Sequence, residues 1–139
     1  MTIEIAKKED ASRLIILLAQ LGYSVQTEDV INKINLHAIE NYKLMVAKVN
    51  GEVMGFIALH VYQTFHLSGL VGRITSFCVD ESQRGIGIGN SLLAAAEDYF
   101  KENKCYKIEV TSNLRRTSTH SYYLNRGYQE TSKHFVKFF

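Results

Sequence analysis

Residues Ile74 to Ala96 read ITSFCVDESQRGIGIGNSLLAAA, and the fold is read outward from them. Ile74, Phe77, Cys78 and Val79 form an apolar run of strand type that stops at Asp80. Asp80 to Arg84 is polar. Gly85, Gly87 and Gly89 then alternate with Ile86 and Ile88, and Leu92, Leu93, Ala96, Tyr99 and Phe100 follow at helical spacing. The order is therefore strand, polar turn, glycine-rich loop and helix. The first N–H groups of a helix have no partner inside it, and the helix dipole favours negative charge there. Glycines let that backbone approach an anion with no Cβ in the way, and Arg84 adds a fixed positive charge. Without a ligand the same residues would be a flexible helix start, in which three glycines cost conformational entropy and gain no contact.

Two phosphate motifs fit poorly. A Walker loop needs Gly-Lys-Ser/Thr four residues after a first glycine, and that is absent. The dinucleotide fingerprint would start at Gly85 and Gly87, but its third glycine falls on Asn90. Glu109 in the next strand could mimic its ribose-binding acid. That fingerprint, however, opens folds of repeated βαβ units, and this loop lies past the midpoint of a short chain.

The 139 residues suit one domain, 1–139, with a sizeable core. Hydrophobic residues make up 46% and charged residues 22%, the profile of an ordinary globular protein. A net charge of +2 makes no electrostatic case for nucleic acid. No apolar run suits a membrane span and no N-terminal segment resembles a signal peptide, so cytoplasmic residence is the default expectation. Cys78 and Cys105 lie in apolar strand patterns and read as buried free thiols. With no C-x-x-C pair, no metal site is expected.

Upstream of the central stretch, Thr2–Ala6 alternates as a short strand. Asp10 or Ser12 caps a helix with the stripe Leu14, Leu17, Leu18, Leu21, stopped at Gly22. Thr27 is the expected cap of a second helix, with Val30, Ile31, Ile34 and Ala38 inward and His37 half-exposed beside them. Lys43–Val49 and roughly Glu52–Phe65 are strands joined by Asn50-Gly51, a type I′ hairpin signal. Gly55 marks a bulge or bend. The chain then turns into the central strand, Leu70–Val79. Downstream, the helix runs to about Asn103, and Cys105–Thr111 is a strand reached by a right-handed crossover. A polar loop holds Asn113, Arg115 and Arg116. A last helix spans about Ser118–Arg126 and stops at Gly127, and Tyr128–Phe139 reads as one or two final strands.

The pattern Arg84-x-x-Gly87-x-Gly89, directly after a strand, resembles the acetyl-coenzyme A loop of the GNAT N-acetyltransferases. Tyr123-Leu-Asn-Arg-Gly-Tyr128 resembles that family's Tyr-Glu-Lys-x-Gly-Phe segment, and Asn113 stands at fitting spacing before it. The order of elements matches throughout. The second half is most similar to the aminoalkylphosphonate N-acetyltransferases, through Gly51-Glu52-Val53, Leu59-His60 and the tail from Thr131 to Lys137. The resemblance implies an α+β fold with a mixed, mostly antiparallel sheet of six to seven strands and about four helices.

It also implies acetyl transfer from acetyl-CoA, as cosubstrate, to a primary amine of a small molecule by direct attack. Backbone groups of Cys78 and Val79 would hold the pantetheine arm. Arg84, Gly85, Gly87, Ile88, Gly89 and Asn90 would hold the pyrophosphate, and Asn113 would touch the arm. Tyr123 is the expected general acid for the departing thiolate, since a phenol of pKa about 10 is protonated at neutral pH. Tyr122 is expected to be a core residue.

The family's glutamate on the central strand is missing. Glu109, His60 or a water chain is left as base, and a strand histidine or a solvated Glu109 without that role fits the sequence as well. Arg73 and Ser76 occupy the central strand where the acid would be. Arg73 is either an exposed outer-face residue or a handle for a carboxylate or phosphonate on the acceptor, gripped by two hydrogen bonds. A non-catalytic acyl-CoA-binding module and a protein or peptide N-acetyltransferase are the alternatives. The apolar tail Phe135–Phe139 either completes a homodimer interface or belongs to the core.

Overall fold

A computed structural model describes all residues, 1–139. The chain divides into two compact units, Met1–Glu109 and Val110–Phe139. The strands are β1 (Thr2–Ile5), β2 (Tyr42–Val49), β3 (Glu52–Gln63), β4 (Leu70–Val79) and β5 (Cys105–Val110), and they form one mixed sheet in the order β1-β2-β3-β4-β5. The α-helices are α1 (Ala11–Gln20), α2 (Thr27–Leu36), α3 (Ile88–Glu102) and α4 (Thr117–Leu124).

The first four strands are an antiparallel series. Its tightest turn is Asn50-Gly51, with φ of 51° and 79°, the type I′ geometry read from the sequence. The sheet buries both faces. Leu44, Val46, Phe56, Ala58 and Cys78 pack with Leu14 and Leu17 of α1 and Val30 and Ile34 of α2. On the other face α3 approaches so closely that a Cβ on Gly72 would stand 2.4 Å from the ring of Phe100. Ile88, Leu92, Leu93, Ala96 and Phe100 are all buried, so helical spacing in the sequence maps onto one apolar stripe.

Two bulges set the faces. Met54 is skipped between the pairs Ala47–Gly55 and Lys48–Val53, beside the glycine that signalled a bend. Thr75 is skipped between Ala58–Ser76 and Leu59–Ile74, and its hydroxyl donates to Ala58 O at 3.2 Å. Side chains alternate along a regular strand, so Arg73 and Ser76 would face opposite ways without the Thr75 bulge. With it, Arg73 pairs with His60 and Ser76 with Ala58 on the same face.

Several expectations are corrected. The sheet has five strands, not six to seven. Residues 129–139 form no regular element, because their apolar content does not become a buried face: Phe135 is 86% and Phe138 90% exposed. A strand needs a ladder partner and a face to bury, and this segment has neither. β3 ends at Gln63, leaving Phe65 exposed. Thr27 is the first residue of α2 rather than its cap, which is Gln26, in extended backbone. In the second unit, α4 closes with Tyr128 N–H on Tyr123 O (3.1 Å) and Gly127 N–H on Leu124 O (3.3 Å), the paired bonds of a glycine-terminated helix.

Candidate active site

The glycine loop begins at a buried carboxylate. Asp80 directly follows β4, and its Oδ1 accepts from Ser82 N–H (2.9 Å) and Ser82 Oγ (2.6 Å). Its Oδ2 accepts from Arg13 Nη2 at 2.8 Å, and Arg13 Nε donates to Val53 O at 3.0 Å. Gln20 adds a clamp, its Oε1 accepting from Glu81 N–H at 3.0 Å. The Ser82 bonds first, then Arg13, hold the Asp80 carboxyl far below the usual carboxylate range. α1 thus fastens the base of the loop, a role for Arg13 and Gln20 that no local pattern announces.

Beyond this anchor Gly87 caps α3 in the left-handed region, with φ of +94°. Ser91 N–H is the donor that closes the first ladder bond, onto Gly87 O at 3.0 Å. The amides of Ile88, Gly89 and Asn90 therefore precede the ladder, where a helix presents its positive end. A Cβ built on Gly85 or Gly87 meets nothing within 4 Å, so the space before the loop is open. Ile88 is buried and roots the helix in the core. Arg84 is exposed, with Nε donating to Val79 O at 3.3 Å, which brings a cation to the strand end. Backbone N–H groups at a helix start and one guanidinium thus lie on the same open stretch, an arrangement whose polarity suits an anion. Cys78 is buried, its Sγ donating to Leu17 O at 3.5 Å, so its thiol is turned into the core and only its backbone can serve a ligand.

About 20 Å along β4, at roughly 3.3 Å per residue, Arg73 belongs to a polar and aromatic row. His60 stacks on Tyr42 (ring centroids 4.2 Å) and lies 5.6 Å from Tyr62, while His37 meets Tyr42 edge-on at 5.5 Å. Tyr62 donates its hydroxyl to Glu109, whose carboxylate also meets Lys107 Nζ (3.3 Å) and Arg73 Nη1 (4.0 Å). The structure therefore brings together His60, Arg73 and Glu109, three residues singled out separately from sequence. It adds Tyr42, Tyr62 and Lys107, and it gives the half-exposed His37 a place beside Tyr42. The alternation of β3, which puts His60 and Tyr62 on one face, was the available signal.

Their electrostatics differ. Burial would raise the Glu109 carboxyl, but the Tyr62 hydrogen bond, Lys107 and Arg73 together bring it below the ordinary value. An ionised, fully engaged carboxylate is a weak base. Burial and the neighbouring His37 lower the His60 imidazole, which keeps it neutral and able to accept a proton at neutral pH. Burial raises Tyr62, so its phenol stays protonated.

In the second unit Tyr123 is buried between Tyr122 (5.5 Å) and Tyr128 (5.3 Å). Burial pushes its phenol up to about 12. Tyr122 is the more exposed of the pair, with the Arg126 guanidinium 3.5 Å from its ring centroid. Tyr122, expected in the core, is thus only partly buried. Asn113 Oδ1 accepts from Arg115 N–H (2.9 Å), and Asn113 O accepts from His120 Nε2 (2.8 Å), which orders the loop.

The acetyltransferase (GNAT) family model matches residues 3–128. An aminoalkylphosphonate N-acetyltransferase of Salmonella typhimurium is 34% identical over 97 residues, 70% of this chain and 63% of that protein. The chain thus matches less than two thirds of that relative's length. An aminoglycoside N(6')-acetyltransferase of Stenotrophomonas maltophilia is 25% identical over 119 residues, 82% of this chain and 78% of that one. Among solved structures, a transcriptional regulator from Bacillus halodurans superposes with a TM-score of 0.88 at 21% identity, covering 99% of each chain, and shows the shared fold. With a glycine loop opening α3 and a family match across 3–128, the chain belongs to the GNAT acetyltransferase family.

Proposed function

We propose that this protein transfers the acetyl group of acetyl-CoA to the primary amine of a small molecule that carries a carboxylate or phosphonate. The observation that supports this most is the open cradle at Gly85–Asn90, built on a fastened Asp80 and flanked by Arg84. Coenzyme A brings a pyrophosphate, which suits a helix N-terminus. Its pantetheine arm would run along the backbone of Val79 and Cys78 toward the His60–Arg73 row.

The acceptor amine must lose a proton to attack the thioester carbonyl. His60, neutral at pH 7, is the acceptor for that proton, and Glu109 orients Tyr62 and Arg73 rather than acting as base. The thiolate that departs needs a proton, and Tyr123, protonated to high pH, is assigned that donation. A backbone N–H of the central strand would face the thioester oxygen and stabilise the charge that develops there. Arg73 and Lys107 give the row two cations against one carboxylate, a surplus that favours an acceptor with an anionic group. The aminoalkylphosphonate N-acetyltransferase relative is named for an acceptor of this kind, an amine with an anionic group.

Thiol release from acetyl-CoA, measured across aminoalkylphosphonates, amino acids, polyamines and aminoglycosides, tests this reading. Turnover selective for the anionic amines supports it. Selective turnover of polyamines keeps the enzyme and removes the anion handle. Acetyl-CoA binding with no turnover of any amine would instead indicate a binding module.

A further inference from the structure

Tyr42 is the first residue of β2 and the cross-strand partner of His60. Its ring lies almost parallel to the imidazole, at 9° and 4.2 Å between centroids. The orientation of His60 rests on ring contacts, with Tyr62 second at 5.6 Å. Tyr42 is itself fixed from two sides. Asn41 stands in the left-handed region, φ 74°, which asparagine tolerates better than most residues, and its carbonyl accepts from Val61 N–H at 2.8 Å. Tyr42 N–H donates to Ile39 O at 3.1 Å. On the other side His37 meets the Tyr42 ring edge-on at 5.5 Å, and its Nδ1 is tied to Lys33 O of α2 at 2.7 Å. The end of α2 and the start of β2 thus hold the Tyr42 ring, and that ring lies against His60.

An imidazole accepts a proton in its ring plane, at the lone pair of one nitrogen. A ring stacked on one face fixes that plane and leaves the edge, with both nitrogens, for a substrate to reach. The face of an aromatic ring is negative, so it also favours the imidazolium that forms when the proton arrives. The charged groups around His60 do not supply this. Arg73, opposite it on β4, and His37 both disfavour another cation, while Glu109 of β5 is engaged by Tyr62, Lys107 and Arg73.

We infer that Tyr42 is a positioning residue for the acetyl transfer, its ring aiming the His60 imidazole at the acceptor's ammonium and supporting the imidazolium. The inference rests on the reading of His60 as the proton acceptor. In that step an N–H bond of the ammonium breaks and its electron pair stays on the nitrogen, which then attacks the thioester carbonyl. The proton bonds to a ring nitrogen of His60 and passes later to water.

Tyr42→Phe, Tyr42→Leu, Tyr42→Ala and His60→Gln are compared with wild type in two measurements. One is thiol release from acetyl-CoA with the most active aminoalkylphosphonate. The other is an NMR titration of the histidine rings, in which the His60 signal is the one that His60→Gln lacks. Tyr42→Leu keeps most of the side-chain volume without the flat face, so it separates aiming from space-filling. Tyr42→Phe is expected to keep kcat within about threefold, and Tyr42→Leu and Tyr42→Ala to lose about tenfold or more with acetyl-CoA binding unchanged. Tyr42→Ala also uncovers the imidazole, which burial holds low, so its titration should move up toward about 6.5. Wild-type kcat in Tyr42→Leu overturns the inference, and so does a His60 titration that stays in place in Tyr42→Ala. His60→Gln distinguishes this inference from the reading beneath it. Loss of kcat in His60→Gln beside wild-type kcat in Tyr42→Leu removes the role of Tyr42 and leaves His60 as base. Wild-type kcat in His60→Gln removes the base, and the role of Tyr42 with it.

Discussion

Asp80→Ala probes the anchor on which the glycine loop stands. The substitution removes the acceptor of two Ser82 bonds and the partner of Arg13, inside a pocket where Asp80 is only 7% exposed. Breaking a buried ion pair from one side costs about 3–5 kcal/mol. Arg13 keeps Val53 O and a contact with Glu52 at 3.4 Å and is itself partly exposed, so about 3 kcal/mol, the lower end, is expected. For a chain of this length that is a fall of about 10 °C in Tm. Denaturant melts of Asp80→Ala, Arg13→Ala and the double variant should give a coupling energy above about 1 kcal/mol. Acid dependence has a definite sign. The Asp80 carboxyl titrates lower in the folded chain than its unfolded value of about 3.9, so its contribution is fully present above that value and is lost as pH falls below it. Asp80→Ala should therefore flatten the acid limb of the stability curve. A destabilisation under about 1 kcal/mol, with that acid limb unchanged, would refute the anchoring role.

Further outcomes are expected at other positions. Gly87→Ala places a Cβ at φ +94°, which costs about 1–2 kcal/mol of stability, and it projects into the open cradle; KM for acetyl-CoA should rise more than tenfold in steady-state kinetics. Gly72→Ala drives a methyl into the Phe100 ring, so a loss of about 1–3 kcal/mol should appear in thermal melts without a change in KM. Arg73→Ala should raise the acceptor's KM about tenfold or more while leaving that of acetyl-CoA unchanged, as expected for loss of a charge-assisted contact of about 1.5–3 kcal/mol. For His60, whose imidazole is lowered, the acid limb of kcat/KM should lie below the ordinary histidine value of about 6.5 and disappear in His60→Gln.

The parts of this molecule that were legible in sequence are local. The alternating glycines before Leu92 and Leu93, and Asn50-Gly51 between two β-rich runs, each specify backbone within a few residues. Gly127 terminated its helix for the same reason. What escaped depends on distance along the chain. Arg13 meets Asp80 across 67 residues, and no periodicity connects them. The face of Arg73 was ambiguous because it turns on one skipped residue, Thr75, and a bulge there moves every side chain upstream to the other face. Tyr62 is one β-former among many and Tyr42 falls just outside the expected strand Lys43–Val49, and their value lies in bonding Glu109 and stacking against His60. Tyr128–Phe139 has the composition of one or two strands, but composition cannot supply the neighbour that a strand requires.

The most direct test measures acetyl-CoA binding by calorimetry and thiol release with the best anionic amine, for wild type, Arg84→Ala/Gly87→Ala and Tyr123→Phe. Wild-type turnover, loss of binding in the loop variant, and unimpaired binding with at least a hundredfold lower kcat in Tyr123→Phe are expected. Acetyl-CoA binding that survives the loop substitutions, or full turnover without the Tyr123 hydroxyl, would contradict it.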